Sequence, residues 1–163
     1  MKKSSRRSIL RAKSRHWTVK KGGVVSYCVH GTGGKIVAGG FTTPKLIKAL
    51  QGGLDVRELN DLQATLDLPM EKLVPMLGIS KATLHRRKAE GKLDPAESDR
   101  VVRFARLMGK AVEVMESEEA ARQWLTSPQF GLGGAVPLEY AETEVGAREV
   151  ENLLGRIEYG VYS

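Results

Sequence analysis

The 163-residue chain has one cysteine, Cys28, so no internal disulfide is open to it. Its three histidines, His16, His30 and His85, stand at unrelated spacings beside that thiol, which argues against a structural metal. Apolar runs of the ~20 residues that a bilayer crossing needs are missing. The basic start (Lys2, Lys3, Arg6, Arg7) meets only Ile9 and Leu10 before Arg11 and Lys13. It therefore lacks the h-region of a signal peptide, and a cytoplasmic location without membrane contact is expected. A phosphate loop is also missing. In Gly31-Thr-Gly-Gly-Lys35, Val29 stands where the first glycine belongs, and Ile36 replaces the Ser/Thr that would hold magnesium. No nucleophile and base sit at meaningful spacing, so the chain is expected to be no enzyme and to need no cofactor.

The most uneven absence is of acid. Residues 1–54 hold 12 Lys/Arg and no Asp or Glu. Residues 55–79 hold 2 basic and 5 acidic groups, residues 80–110 hold 9 and 4, and residues 111–163 hold 3 and 10. The total of +7 thus hides a basic front, a basic middle and an acidic end at −7. Such a chain presents different surfaces to different partners, the basic ones suited to phosphate and the acidic one repelled by it.

Residues 1–21, basic and polar, read as a mobile arm lying along DNA or as a solvated tail. Two β-like runs, Val24–Val29 and Lys35–Ala38, suggest a hairpin around Gly31–Gly34. Thr43-Pro44 reads as an N-cap and N1 proline for a short helix over Lys45–Leu50, stopped at Gly52-Gly53. From residue 55 the pattern is helical. Val56, Leu59, Leu62 and Leu66 recur every three or four residues. Pro69 opens a helix carrying Leu73, Met76 and Leu77; Pro95 opens a long one, to about Met115, with Val101, Phe104, Ala105, Met108, Val112 and Met115 on its apolar face. Ser117–Leu125 and Thr143–Ile157 form two more, separated by a Gly/Pro-rich stretch over Ser127–Pro137.

The segment from Leu68 to Lys88 has the pattern of a helix-turn-helix. A short helix ends at Leu77-Gly78, Gly78 supplies the turn, Ile79 plugs the angle, and Ser80 caps a second helix, Lys81–Glu90, that Gly91 ends. The second helix of such a unit lies in the major groove, its N-terminal residues at base edges. Lys81 and Thr83 are the base-contact candidates; Arg86, Arg87 and Lys88 suit phosphates, and an arginine can also take guanine bidentately. Ser80 and His85 complete the candidate set, with Leu84 turned inward. Pro75, inside the first helix, predicts that this helix is short or kinked, because an interior proline costs about 3 kcal/mol.

In the acidic end, Glu97 and Asp99 sit where the dipole of the long helix favours carboxylates, which explains them better than acid/base chemistry does. Trp124 and Leu125 are expected to anchor a second small core. The closing Tyr159 and Tyr162 are either a fraying end or an anchor for a partner.

Over about two-thirds of its length, from residue 55 on, the sequence resembles the Xre/MbcA/ParS antitoxins that pair with RES-domain toxins. The resemblance is carried by Leu77-Gly-Ile-Ser80, Thr83-Leu-His-Arg-Arg-Lys-Ala-Glu-Gly91, Glu97-Ser-Asp-Arg100 and Ala120-Ala-Arg-Gln-Trp-Leu125. It continues through Pro128, Leu132-Gly-Gly134, Pro137-Leu138 and Thr143-Glu-Val-Gly146, and is most distinctive in Leu153-Leu-Gly-Arg-Ile-Glu-Tyr-Gly160. It implies an antitoxin of a type II pair that neutralises an NAD-degrading toxin and binds its own promoter as a homodimer. It also implies that the extreme C-terminus approaches the toxin's active site, a role falling here on Arg156, Glu158, Tyr159, Tyr162 and Ser163. Residues 1–54 and Pro75 lie outside the family pattern.

The expected architecture is mainly α: a basic, Gly-rich N-terminal extension over 1–54, a helix-turn-helix and dimerisation domain over 55–115, and a small helical toxin-binding domain over 116–163. The competing reading is a plain helix-turn-helix transcription factor whose C-terminal module serves dimerisation or an unrelated partner.

Overall fold

A computed structural model describes residues 23–31 and 43–160 of the chain. The arm over 1–21, the β-like run Lys35–Ala38 with most of the glycine turn before it, and the tip at Tyr162 and Ser163 lie outside the described residues. Among the described residues there is no strand, only the isolated bridges Asp55–Lys92 and Gln129–Ala135.

Nine α-helices are described: α1 Val24–His30, α2 Thr43–Gly52, α3 Arg57–Leu66, α4 Met70–Met76, α5 Lys81–Glu90, α6 Pro95–Met115, α7 Glu118–Thr126, α8 Pro137–Tyr140 and α9 Glu144–Glu158, with a 3-10 turn at Phe130–Leu132. None of them is long and apolar enough to cross a membrane. The 21-residue α6 is the axis of the fold, with α1, α2 and α3 packed on it from one side of the chain and α7 and α9 from the other. Its buried residues Val101, Phe104, Ala105, Met108 and Ala111 join one apolar core that runs from Val24 to Leu154. The apolar periodicity predicted this face, although Val112 and Met115 are only half-buried at its end.

The hairpin reading of Val24–Val29 fails, because this segment is the helix α1. Three valines favour a strand by intrinsic preference, yet their helical penalty is at most ~0.7 kcal/mol each. Burying each returns roughly 1.5 kcal/mol or more. Val24, Val25, Cys28 and Val29 share one helical face, and all four are buried. The start of α1 is satisfied from a distance. Glu58 on α3 accepts hydrogen bonds from the Val24 and Val25 backbone N–H groups at 2.8 and 3.0 Å. Packing of α1 on α6 is close enough that a Cβ at Gly109 would strike the Cys28 carbonyl oxygen and the Val29 Cα.

The other expected elements stand within a residue or two of their predicted limits. α2 takes in Thr43, the expected cap, as its first residue. The Gly/Pro-rich stretch holds the 3-10 turn and the short α8. Two arginines tie the late helices to the early ones. Arg122 of α7 donates to the Thr65 carbonyl of α3 at 2.7 Å, and Arg103 of α6 donates to the Glu142 carbonyl at 3.0 Å, just before α9.

Candidate nucleic-acid interface and C-terminal module

α4 and α5 form the helix-turn-helix. Pro75 lies in the last turn of α4, which is only seven residues long, so the missing N–H costs little continuing helix. Gly78 makes the turn with φ +67°, and Arg100 of α6 donates from Nη1 to the Leu77 carbonyl at 3.1 Å, holding the turn from beneath. Ile79 is buried in the angle, and Leu84 packs half-buried against the core. Ser80 caps α5 as the sequence indicates: its Oγ accepts from the Thr83 backbone N–H at 3.1 Å and donates to Thr83 Oγ1 at 2.9 Å.

The structure divides the seven candidate DNA residues. Lys81, His85, Arg86 and Lys88 are exposed on α5. Arg86 reaches no closer than 4.0 Å to Glu90 and keeps 60% of its side chain in solvent. Ser80 and Thr83 are engaged in the cap. Arg87 turns the other way, with 16% of its side chain exposed. Its Nε donates to Glu97 Oε2 at 2.8 Å, Nη2 to Asp94 Oδ2 at 3.1 Å and Nη1 to Glu90 Oε2 at 3.0 Å. Hydrogen bonds to Glu97 first, and to Glu90 next, push its pKa still further above the ordinary arginine value.

The same carboxylates cap α6. Asp94 accepts from the Glu97 N–H at 2.7 Å, and Glu97 Oε2 accepts from the Asp94 N–H at 3.0 Å, a reciprocal capping box. Arg87 therefore fastens α5 to the start of α6. The Asp94-x-x-Glu97 spacing was a readable signal for the box; its link to Arg87, across the turn at Gly91, had no sequence signature.

The C-terminal module is built on the other half of α6. Leu125, Leu138, Ala147, Val150 and Leu154 are buried, while Trp124 is half-buried against them. Of the five large hydrophobic residues exposed among the described residues, four lie here: Phe130, Tyr140, Val145 and Tyr159. At the end of α9, Glu158 accepts from Lys110 Nζ of α6 at 2.7 Å, raising the lysine pKa mainly through that hydrogen bond. Arg156 is half-buried one turn earlier, and Tyr159 is 79% exposed just past the helix. Tyr162 and Ser163 lie outside the described residues.

Fold and site together define a helix-turn-helix protein with a second helical module assembled on the same long helix. Residues 45–106 match the Antitoxin Xre-like helix-turn-helix domain, and residues 110–160 match the Antitoxin Xre/MbcA/ParS C-terminal toxin-binding domain. The chain is 34% identical to an Antitoxin Xre of Yersinia enterocolitica over 120 residues, covering 72% of this chain and 81% of that protein. It is 35% identical to an Antitoxin Xre of Photorhabdus laumondii over 122 residues, 74% of this chain and 82% of that one. A Prs ADP-ribosylating antitoxin of a Sphingobium species is 25% identical over 127 residues, 72% of this chain and 80% of that protein. The chain belongs to the Xre antitoxin family.

Proposed function

We propose that this antitoxin neutralises a RES-type, NAD-degrading toxin by covering its active site with the end of α9, and that it represses its own operon as a homodimer through α5. The observation that carries the first half is the state of the C-terminal end. Tyr159 contributes almost nothing to the chain's own core, being 79% exposed, while Glu158 and Lys110 fix the last turn of α9 beneath it. An aromatic residue held in water by a braced helix end suits an inserted anchor better than a fraying terminus. The acidic balance of residues 111–163 complements a basic cleft that accepts the phosphates of NAD. The Sphingobium relative is called a Prs ADP-ribosylating antitoxin, and ADP-ribosylation draws on NAD, which supports a partner that works on this chemistry.

At the operon, Lys81 and Thr83 take the base contacts and Arg86 and Lys88 the phosphate contacts, with His85 at the rim. Ser80 serves through the cap. Arg87 serves as the strut that sets the angle of α5.

The experiment places this chain and the polypeptide of the adjoining reading frame under separate promoters in one cell. Induction of the second alone should arrest growth and deplete NAD. Full-length antitoxin should restore both, and a chain ending at Ile157 should restore neither. Undiminished NAD in the arrested cells would remove the RES-type assignment, and rescue by the truncated chain would remove the C-terminal end from the interface.

A further inference from the structure

The 3-10 turn Phe130–Leu132 places a phenyl ring wholly in solvent: Phe130 is 100% exposed. Isolated surface apolar groups are ordinary, so exposure alone decides nothing. Phe130 covers nothing in its own chain. Its backbone, in contrast, is pinned. Leu132 N–H donates to the Gln129 carbonyl at 3.1 Å, Gly133 N–H to the Phe130 carbonyl at 2.9 Å, and Gly134 N–H to the Gln129 carbonyl at 2.9 Å. The base of the loop is closed by the Gln129 N–H to Ala135 carbonyl bond at 3.0 Å. The Gln129 side-chain amide donates to the Trp124 and Ser127 carbonyls at 2.9 and 3.1 Å, tying the loop back to α7.

The turn also rests on α9. A Cβ at Gly131 would meet the end of the Leu153 side chain at 2.6 Å, so the turn lies close against this leucine. Leu153 borders Glu149 and Arg156, one helical turn to either side. These two belong to a stripe at spacings of four and three, Val145, Glu149, Asn152, Arg156 and Tyr159. Val145 is 74% exposed, Glu149 and Asn152 are exposed, and Arg156 is half-buried. Phe130 thus stands at the edge of an outward face of α9 that has apolar residues at both ends and Glu149, Asn152 and Arg156 between them.

We propose that Phe130 is the principal anchor of the toxin interface, a preformed plug for an apolar socket with a basic rim beside the toxin's cleft. This rests on the toxin-neutralising reading above and goes beyond it, since that reading uses only the end of α9. The toxin is favoured over a second copy of this chain because the module that carries Phe130 is acidic as a whole. Residues 111–163 hold 10 Asp/Glu against 3 Lys/Arg, so two copies of this module would repel each other. A fixed loop loses little conformational freedom on docking, and buried aromatic plugs of this kind dominate interface energetics.

The test uses the full-length antitoxin and the purified adjoining-frame polypeptide. Phe130→Ala should weaken their binding about thirty-fold or more. Its unfolding midpoint, oligomeric state and affinity for its upstream DNA should equal those of the wild type, because the ring touches nothing in the fold. Phe130→Leu, which keeps an apolar plug, should recover part of the affinity. Wild-type binding with Phe130→Ala bound equally well would overturn the anchor and leave the toxin reading standing. A Phe130→Ala protein altered in oligomeric state, with toxin affinity intact, would also overturn it, assigning the face to a second copy. If the wild type itself captures nothing from this polypeptide while the chain ending at Ile157 behaves identically, the toxin reading fails and the anchor fails with it.

Discussion

Arg87 and Glu97 are locked together across the turn between α5 and α6: Nε to Oε2 at 2.8 Å and Nη2 to Oε1 at 3.2 Å, with the carboxylate side chain only 7% exposed. Glu97 also accepts the Asp94 N–H, so one buried carboxylate both caps α6 and fixes the orientation of α5. Neighbouring arginines therefore do opposite work. Arg86→Ala should leave the unfolding midpoint unchanged and reduce the slope of log affinity against log salt, on the upstream DNA, by about one. Arg87→Ala should lower the midpoint and weaken DNA binding with the slope preserved. Glu97→Ala should cost about 2 kcal/mol, from the lost cap and the broken pair. Fluorescence anisotropy over a salt series, with thermal unfolding of each variant, separates the roles. A reduced slope for Arg87→Ala would return that residue to the phosphates.

Glu58 is the counterpart at the other end of the core. α1 begins with no side-chain cap of its own, and the two N–H groups it exposes are met by the Glu58 carboxylate from α3. Removing a cap typically costs about 1–2 kcal/mol. Glu58→Ala should lose that amount in urea unfolding, and Glu58→Gln, which keeps one acceptor oxygen, should lose less. Gly23→Ala should mimic the defect, since its Cβ would sit 2.8 Å from Glu58 Oε1. An undisturbed Glu58→Ala protein would mean that α1 docks by its valines alone.

These two carboxylates mark where sequence reading stops. Ser80, Gly91, Pro95, Ser117 and Thr143 announce helix ends through local chemistry, so α5, α6, α7 and α9 were legible with their boundaries. The stripe Leu59, Leu62, Leu66 was legible by its period. α1 was not, because its deciding contacts are with Glu58, 33 and 34 residues away, and with Gly109 on α6. At the site, cap and charge located α5, but only the fold reveals that Arg87 faces Glu97 while Arg86 faces solvent. Phe130 escaped notice because a lone aromatic in a Gly/Pro-rich stretch has no periodicity to betray it.

Gly109, the one glycine of α6, should resist replacement. In a helix interior, alanine ordinarily gains up to about 1 kcal/mol over glycine. Here the added methyl group would meet backbone, the Cys28 carbonyl oxygen and the Val29 Cα, which has no rotamer by which to retreat. Overpacking of this kind costs about 1–3 kcal/mol, enough to reverse the sign. Gly109→Ala should therefore destabilise the chain, and the loosened α1 should expose Cys28 to thiol reagents at neutral pH. Equal labelling rates for variant and wild type, with equal urea midpoints, would show that α1 shifts aside without loss.

Cys28 also makes the packing of α1 sensitive to alkali. Burial pushes its thiol up to about 11 from an ordinary 9.0; Arg106 opposes this, and Glu58 adds to it. The folded chain thus holds the proton more tightly than the unfolded chain does. Below about pH 9 both states are protonated, and the contribution of the buried thiol is complete. As pH climbs past that value, the unfolded chain releases its proton while the folded chain keeps it, so the equilibrium moves toward unfolding. The loss accumulates until the folded thiol itself titrates near 11 and then levels off. Lysines and tyrosines ionise over the same range, so the informative quantity is the difference between two proteins. Cys28→Ala should start from a lower midpoint at pH 8, because the small side chain leaves a cavity, and should decline less steeply between pH 9 and 11 than the wild type. Parallel declines would mean that the thiol ionises as freely in the fold as outside it, and that the α1–α6 contact admits water.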